Sequence, residues 1–364
     1  MAMSAISSFN ITRFDFPRDR VVGDSQVRAE RVYVAALELV AVDGTVGLGF
    51  LQSLFTPLPA QAEIERIFLA EAWPALDGKV ALTLTQQVHR PRGGNICSPS
   101  LPFREAIQVA IWDLAAKQSG LPLFKMLGAN RDRVKVYASG LDFHLDDNEF
   151  VELFGAADAA GYSAFKIKVG HNEFERDLHR LDLLTRSVRT DAIVMIDANE
   201  AWSPKEALMK IESIQQKKFD LLWVEDPVLR FDFDGLRMLK AAATRTQINS
   251  GEYLDLSGKC QLLAANATDM LNVHGQVTDV LRIGWLAANN GVPVTVGNTF
   301  LEVGIHPATA LPEVEWIEFS FQNFNHLVEQ PITIEDGYAI APDRPGHGLV
   351  LSQIARASAN PTLD

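Results

Sequence analysis

From residue 134 onward the chain repeats one pattern, a short apolar run followed by a turn and then a stretch whose apolar residues recur at helical spacing. The apolar runs fall at 134–139, 164–169, 193–197, 221–225, 247–251, 270–273, 292–296 and 315–319. They are continuous rather than alternating, which predicts strands buried on both faces, as in a parallel sheet covered by helices. Eight strand-helix units fit a closed α/β barrel with right-handed crossovers and functional residues on the loops after the strands. The expected fold is therefore a modified (β/α)8 TIM-type barrel.

The pattern upstream is different. Residues 11–50 read as strands, with VRAERVYVAALELVAV the clearest run and VDGT a hairpin turn. Helical spacing follows over 60–69, 81–89 and 103–117, and Gly120-Leu121-Pro122 ends the last of these. Strands followed by helices mark an α+β unit distinct from the barrel. The expected division is 1–128 for this unit, 129–335 for the barrel and 336–364 for a short, turn-rich tail.

Composition narrows the class. The 364 residues exceed one ordinary domain and are 47% hydrophobic, ample for a core. No apolar run approaches a membrane span, and the first residues, MAMSAISSFNITRFDFPRDR, lack the basic-then-apolar order of a signal peptide. Cys97 and Cys260 are the only cysteines, so a reducing compartment, the cytoplasm, is expected. A net charge of −13 with no basic stripe argues against nucleic acid as a partner. It does not exclude an anionic substrate, because a divalent ion and two lysines would dominate the potential inside a cleft.

Four of the predicted strands end in charge: FKIKVG with Lys166 and Lys168, VMIDAN with Asp197, LLWVEDP with Glu225 and INSGEY with Glu252. The three acids are 28 and 27 residues apart, about one barrel unit each, which sets them side by side at the rim. Three carboxylates there make an oxygen-rich pocket for a hard cation such as Mg²⁺. Lys166 and Lys168 alternate along one strand face, so both point inward. A lysine beside a second ammonium and a divalent ion is expected to have a lowered pKa and to serve as a base. Taken singly, an acid after a strand is usually a helix cap, and a Lys-x-Lys pair usually guards an exposed edge. Surface lysines, however, do not account for acids at one-unit intervals downstream.

These residues resemble the enolase superfamily, in its mandelate racemase and muconate-lactonizing branch, and the resemblance covers nearly the whole chain. It implies that Lys168 is the base, that Asp197, Glu225 and Glu252 hold one Mg²⁺ per site, and that Asn199 of the DAN segment lies beside the metal. VDGTVGLGF, REAIQVAIWDLAAKQSGLPLFKMLG and the tail segment DGYAIAPDRPGHGLVL look like the capping-domain signatures, so the tail is expected to return to an α+β capping domain. Glu318 in EWIEFS matches an eighth-strand Glu that, protonated, hydrogen-bonds a substrate carboxylate. The resemblance also implies a homo-oligomer and a small carboxylate substrate.

The chain departs from the family pattern on the side facing Lys168. A seventh-strand His and sixth-strand Asp form a dyad in many relatives, but VTVGNTFLE places Asn298 at the His and DMLNVHGQVT places His274 near the Asp. No Lys follows Lys259, so an opposing lysine is missing as well. His306 and His144 are second-rank candidates, with capping or solvated roles as the alternative. Substrate choice is expected from loops 18–24 (RDRVVGD), which offers Arg18 and Arg20, 51–59 (LQSLFTPLP), and 91–100 (PRGGNICSPS), which offers Arg92 and Asn95.

Three functions follow from this reading. The first is dehydration of a sugar acid, in which Lys168 takes the proton beside the carboxylate, Mg²⁺ and Glu318 stabilise the enediolate, and His274 protonates the departing hydroxide. The second is racemisation, epimerisation or cycloisomerisation through the same intermediate, which needs a stronger acid on the opposite face than this chain offers. The third is a non-catalytic metal-binding barrel, which leaves the second-strand base without a purpose.

Overall fold

The computed structural model describes residues 3–53, 56–87, 101–322 and 324–358. Three long strands, β1 (Ile6–Gly23), β2 (Arg28–Ala41) and β3 (Val46–Ser53), form an antiparallel sheet in that order. The helix Phe103–Gln118 crosses this sheet and buries ten residues against it and its surroundings. Gly47 and Gly49 explain how closely it approaches: a Cβ at either would stand 2.2 Å from the Ala110 carbonyl oxygen or 2.0 Å from that of Ala106. Of the predicted helix at 81–89, the described residues are helical only over Ala81–Leu84, after which the Thr85 hydroxyl donates to the Leu82 carbonyl; residues 88 and 89 lie outside the described residues.

Eight parallel strands follow, β4 (Arg133–Ser139), β5 (Ala164–Lys168), β6 (Ile193–Asp197), β7 (Leu221–Glu225), β8 (Gln247–Ser250), β9 (Met270–Val273), β10 (Val294–Val296) and β11 (Val314–Phe319). β11 pairs with β4, Glu318 opposite Tyr137, and this closes the barrel. All eight lie where the apolar runs placed them. The seventh starts at Val294 rather than 292, since Pro293 has no amide hydrogen to give a ladder. Tyr137, Ala164, Met195, Trp223, Met270 and Trp316 plug the barrel floor, with the Tyr137 and Trp223 rings edge to face at 5.3 Å. Each large side chain buried in this way contributes about 2 kcal/mol.

A hairpin of β12 (Thr333–Glu335) and β13 (Tyr338–Ile340) adds to the lower half of β4, whose upper half pairs with β5. The expected boundary between 335 and 336 therefore falls inside an element that belongs to the barrel sheet. Beyond it the chain returns to the cap, where His347 N–H donates to Asp113 (2.8 Å) and Arg356 pairs with Glu38 (2.7 Å). Among the described residues no helix is long and apolar enough to cross a membrane.

Candidate active site

Parallel register places the charged residues side by side: Lys168 stands opposite Asp197, and Asp197 opposite Glu225. β8 ends at Ser250, so Glu252 comes from the loop beyond it. All four of Lys166, Lys168, Asp197 and Glu225 are at most 5% exposed, and Glu318 is equally buried. Lys166 Nζ lies 2.5 Å from Glu225 Oε1, 3.3 Å from Asp197 and 3.4 Å from Glu318. Lys168 Nζ donates to Asp197 Oδ2 (2.6 Å) and to Asn199 Oδ1 (2.8 Å). The outer oxygen of Glu225 accepts from the Trp223 indole and the Asn249 amide.

The electrostatics differ from the expectation in two places. Burial pulls Lys168 down, but Asp197, Glu252 and Glu318 together outweigh burial and hold its pKa above the ordinary lysine value. The expected lowering counted on a second ammonium and a divalent ion; Lys166 acts in that sense, but the surrounding carboxylates act more strongly the other way. Burial raises Glu318, yet Lys166 and Lys168 outweigh it and keep this carboxyl below its usual value. Asp197 is likewise drawn down, against burial, to about 2 by the two lysines. Glu252 is pushed up to about 8, first by burial and then by Asp197, and Glu225 is raised chiefly by burial.

Four carboxylates facing two ammoniums leave a deficit of positive charge that a divalent cation would fill, and the donors are all hard oxygens. The residues thus suit Mg²⁺ in chemistry, with Asp197, Glu225 and Glu252 as its holders. Among the described residues no three acidic, His or Cys side chains converge on one ion-sized point, because the lysine ammoniums lie against the inner carboxylate oxygens.

Two buried residues that sequence reasoning missed brace this cluster. Asp226, directly after Glu225, accepts from the Ser250 hydroxyl (2.5 Å) and the Gly251 amide (3.1 Å). Lys259 donates to the carbonyls of Gly251 and Leu254, so both grip the loop that carries Glu252. Behind Lys168, Asp142 accepts from its backbone amide and pairs with the buried Arg180. The adjacency of Asp226 to a ligand in EDP was its only sequence signal; Lys259 and Arg180 look like ordinary helix-surface cations.

His274 follows β9 and is half-buried, its Nδ1 buried without a hydrogen-bond partner among the described residues. Asn298, half-buried after β10, precedes a strained pair, Leu301 and Glu302, both at positive φ. Asn272, one inward position below His274, has neither amide atom partnered. His306 does not join this group. It is wholly buried in the helix Ile305–Ala310, donates through Nε2 to the His347 carbonyl (3.1 Å) and packs near Phe124, so the structure gives it a packing role in the seam with the tail. His144 is committed to the Val27 carbonyl (2.8 Å).

The β1–β2 hairpin lies over the barrel mouth and touches three loops. Gly23 N–H donates to Leu141 O, Gln26 to Asn199 O, and Arg20 to Ser320 O and Phe321 O. Arg18 donates to Gln322 Oε1 (3.3 Å). Phe50 of β3, just before the 51–59 segment, meets Phe300 at 4.8 Å; Leu54 and Phe55 of that segment lie outside the described residues. Arg92 and Asn95 lie outside them too. A separate groove of about 990 Å³, lined by Arg131, Asp132, Glu329 and Arg344 among others, holds none of the site residues.

Residues 149–355, which span the barrel and its charged rim, match the family model described as enolase C-terminal domain-like. The chain belongs to that family. Its enolase relatives include the L-talarate/galactarate dehydratase of Salmonella typhimurium, 33% identical over 69% of this chain and 63% of that enzyme, just under two thirds of its length. The solved structure of that dehydratase with Mg and L-lyxarohydroxamate superposes with a TM-score of 0.82 over 98% of this chain and 93% of that one, at 26% identity. A Mesorhizobium loti protein, provisionally named a mandelate racemase, is 66% identical with a TM-score of 0.94 over 97% of this chain and 94% of its own. The 3,6-anhydro-alpha-L-galactonate cycloisomerase of Streptomyces coelicolor is 28% identical over 71% of each chain. Enolase-family relatives of this barrel thus include a sugar-acid dehydratase and a cycloisomerase.

Proposed function

We propose that the protein is a Mg²⁺-dependent lyase that removes water from a sugar acid to give a 2-keto-3-deoxy acid. The observation that carries this reading is the asymmetry of the site. One rim holds Lys168 in contact with Asp197 and Asn199, while the other offers a single imidazole, His274, and the neutral amides of Asn272 and Asn298. A two-base inversion needs a base on one face and, on the opposite face, a group that returns a proton to the same carbon, whereas an elimination needs one base and a proton donor at the leaving oxygen. The talarate/galactarate dehydratase among the relatives supports the same choice.

Mg²⁺, when bound, supplies Lewis acidity toward the substrate carboxylate and positive charge near Lys168. Lys168 takes the proton alpha to the carboxylate. The C–O bond at the neighbouring carbon breaks, and His274 gives its proton to the leaving hydroxide, which departs as water. The enol that remains becomes the keto acid. Lys166, held between Glu225 and Glu318, stands with Glu318 where charge builds on the carboxylate, and its ammonium is a donor placed to meet that charge.

The test is proton exchange in D₂O with Mg²⁺ across mono- and diacid sugars, read alongside 2-keto product by semicarbazide. We expect keto product, lost by at least about a thousandfold in Lys168→Ala. Exchange without keto product would move the assignment to an epimerase or cycloisomerase; metal binding without either would leave a non-catalytic barrel.

A further inference from the structure

The three loops that carry the expected metal ligands meet on one guanidinium. Glu200 follows Asp197 by three residues, Arg230 follows Glu225 by five, and Tyr253 follows Glu252 directly. Arg230 donates through Nε to Glu200 Oε1 (2.7 Å) and through Nη2 to Glu200 Oε2 (2.6 Å), and its backbone amide gives a third bond to Oε1 (2.7 Å). The same guanidinium lies 4.6 Å from the centre of the Tyr253 ring. Arginine suits both contacts, since its planar fork matches a carboxylate edge-on while its face stacks on an aromatic ring.

The backbone at this junction would not hold its shape unaided. Asn199, Glu200 and Asp226 all stand at positive φ, 44°, 64° and 34°. Residues with side chains seldom adopt this left-handed region, and it persists only where the surroundings over-determine it. Here Glu200 N–H donates to the Asp226 carbonyl (2.7 Å), and the Glu200 side chain, only 5% exposed, is held by Arg230. An exposed pair such as Arg245–Asp220, at the other end of β7 and β8, contributes little. The Glu200 carboxylate is buried, so removing its partner would strand a charge. The pair therefore fixes how the loops after β6 and β7 stand, and Tyr253 ties the Glu252 loop to them.

We propose that Arg230 is a positioning residue that sets the metal preference of the site, by fixing the spacing of the loops that bear Asp197, Glu225 and Glu252. The inference rests on the reading that these three residues hold Mg²⁺. Mg²⁺ demands a tight, regular set of oxygens, whereas the larger Ca²⁺ accepts looser and more variable ones. Loosening the loops therefore costs Mg²⁺ more affinity than Ca²⁺.

The experiment is calorimetric titration of the metal-stripped full chain with Mg²⁺ and, separately, with Ca²⁺, folding being checked by circular dichroism. Arg230→Met should weaken Mg²⁺ binding about tenfold or more and Ca²⁺ binding about threefold at most. Arg230→Lys, which keeps the charge but neither the fork nor the stacking face, should shift the ratio in the same direction. Arg245→Met, at the far end of the same strands, should leave both affinities unchanged. Parallel losses for the two ions, no loss, or an equal fall of the ratio in Arg245→Met would overturn the proposal. If Arg230→Met does not fold, Tyr253→Leu reads the same ratio with the same outcomes. An unaltered chain that binds neither ion would sink the metal-site reading and the proposal with it; Mg²⁺ binding with an unmoved ratio would sink the proposal alone.

Discussion

Lys168 and Lys259 are both buried lysines driven in opposite directions by their neighbours. Burial lowers each, but Lys168 faces Asp197 and ends above the ordinary value, while Lys259 faces mainly carbonyls and falls to about 8. The difference also decides what could be read in advance. Lys168 announces itself, because it is one turn of a pattern that continues through Asp197 and Glu225. Lys259 sits in the helix Leu256–Ala264, where a lysine would ordinarily be solvated, and only the folded loop reveals its two acceptors. Replacing it with Met removes the Lys259 donor from both carbonyls and leaves Gly251 O only the Leu254 amide, so we expect a loss of about 2 kcal/mol in denaturant unfolding. Because those carbonyls flank Glu252, Mg²⁺ affinity by calorimetry should also fall about tenfold. An unchanged affinity would mean that Asp226 alone holds the loop. His274 illustrates the opposite limit, since the sequence located it but only structure shows an unpartnered Nδ1.

At the scale of elements, the barrel strands were legible because burial on both faces leaves uninterrupted apolar runs with turn residues at each end. The extent of the helix at 81–89 was not, because periodicity gives no stop signal at Leu84, where the described helix ends. Nor was the hairpin β12–β13, whose three-residue strands are too short for any period. The G-L-G of β3 carries information of another kind. Two glycines alternate on one face, and that face meets a helix backbone rather than side chains. Gly49→Ala should force this helix off the sheet and lower stability by about 1–3 kcal/mol, measured as a fall in melting temperature. If the melt is unmoved, the sheet and helix have slack that their present spacing does not suggest.

At the scale of the molecule, cap and barrel meet around His306 and His347. His347 donates to the Leu48 carbonyl and, through its amide, to Asp113, while its own carbonyl takes the His306 proton. Burial, reinforced by His347, pushes His306 down to about 3. The unfolded chain binds a proton there near pH 6.5 and the folded chain only near pH 3, so this contribution is complete above 6.5 and erodes as pH falls toward 3. The slope is at most about 1.4 kcal/mol per pH unit. Calorimetric melts between pH 7 and pH 4 should show a shallower decline in His306→Asn than in the unaltered protein; parallel declines would place the acid sensitivity elsewhere. The same seam bears on how the chain is made. The cap sheet is synthesised before the barrel, yet Asp113 and the Leu48 carbonyl wait for residue 347, and Glu38 waits for Arg356. Arg18 likewise waits 304 residues for Gln322. Translation must therefore pass Arg356 before the cap is finished, and the nascent polypeptide has to keep its paired lysines and carboxylates soluble in the meantime.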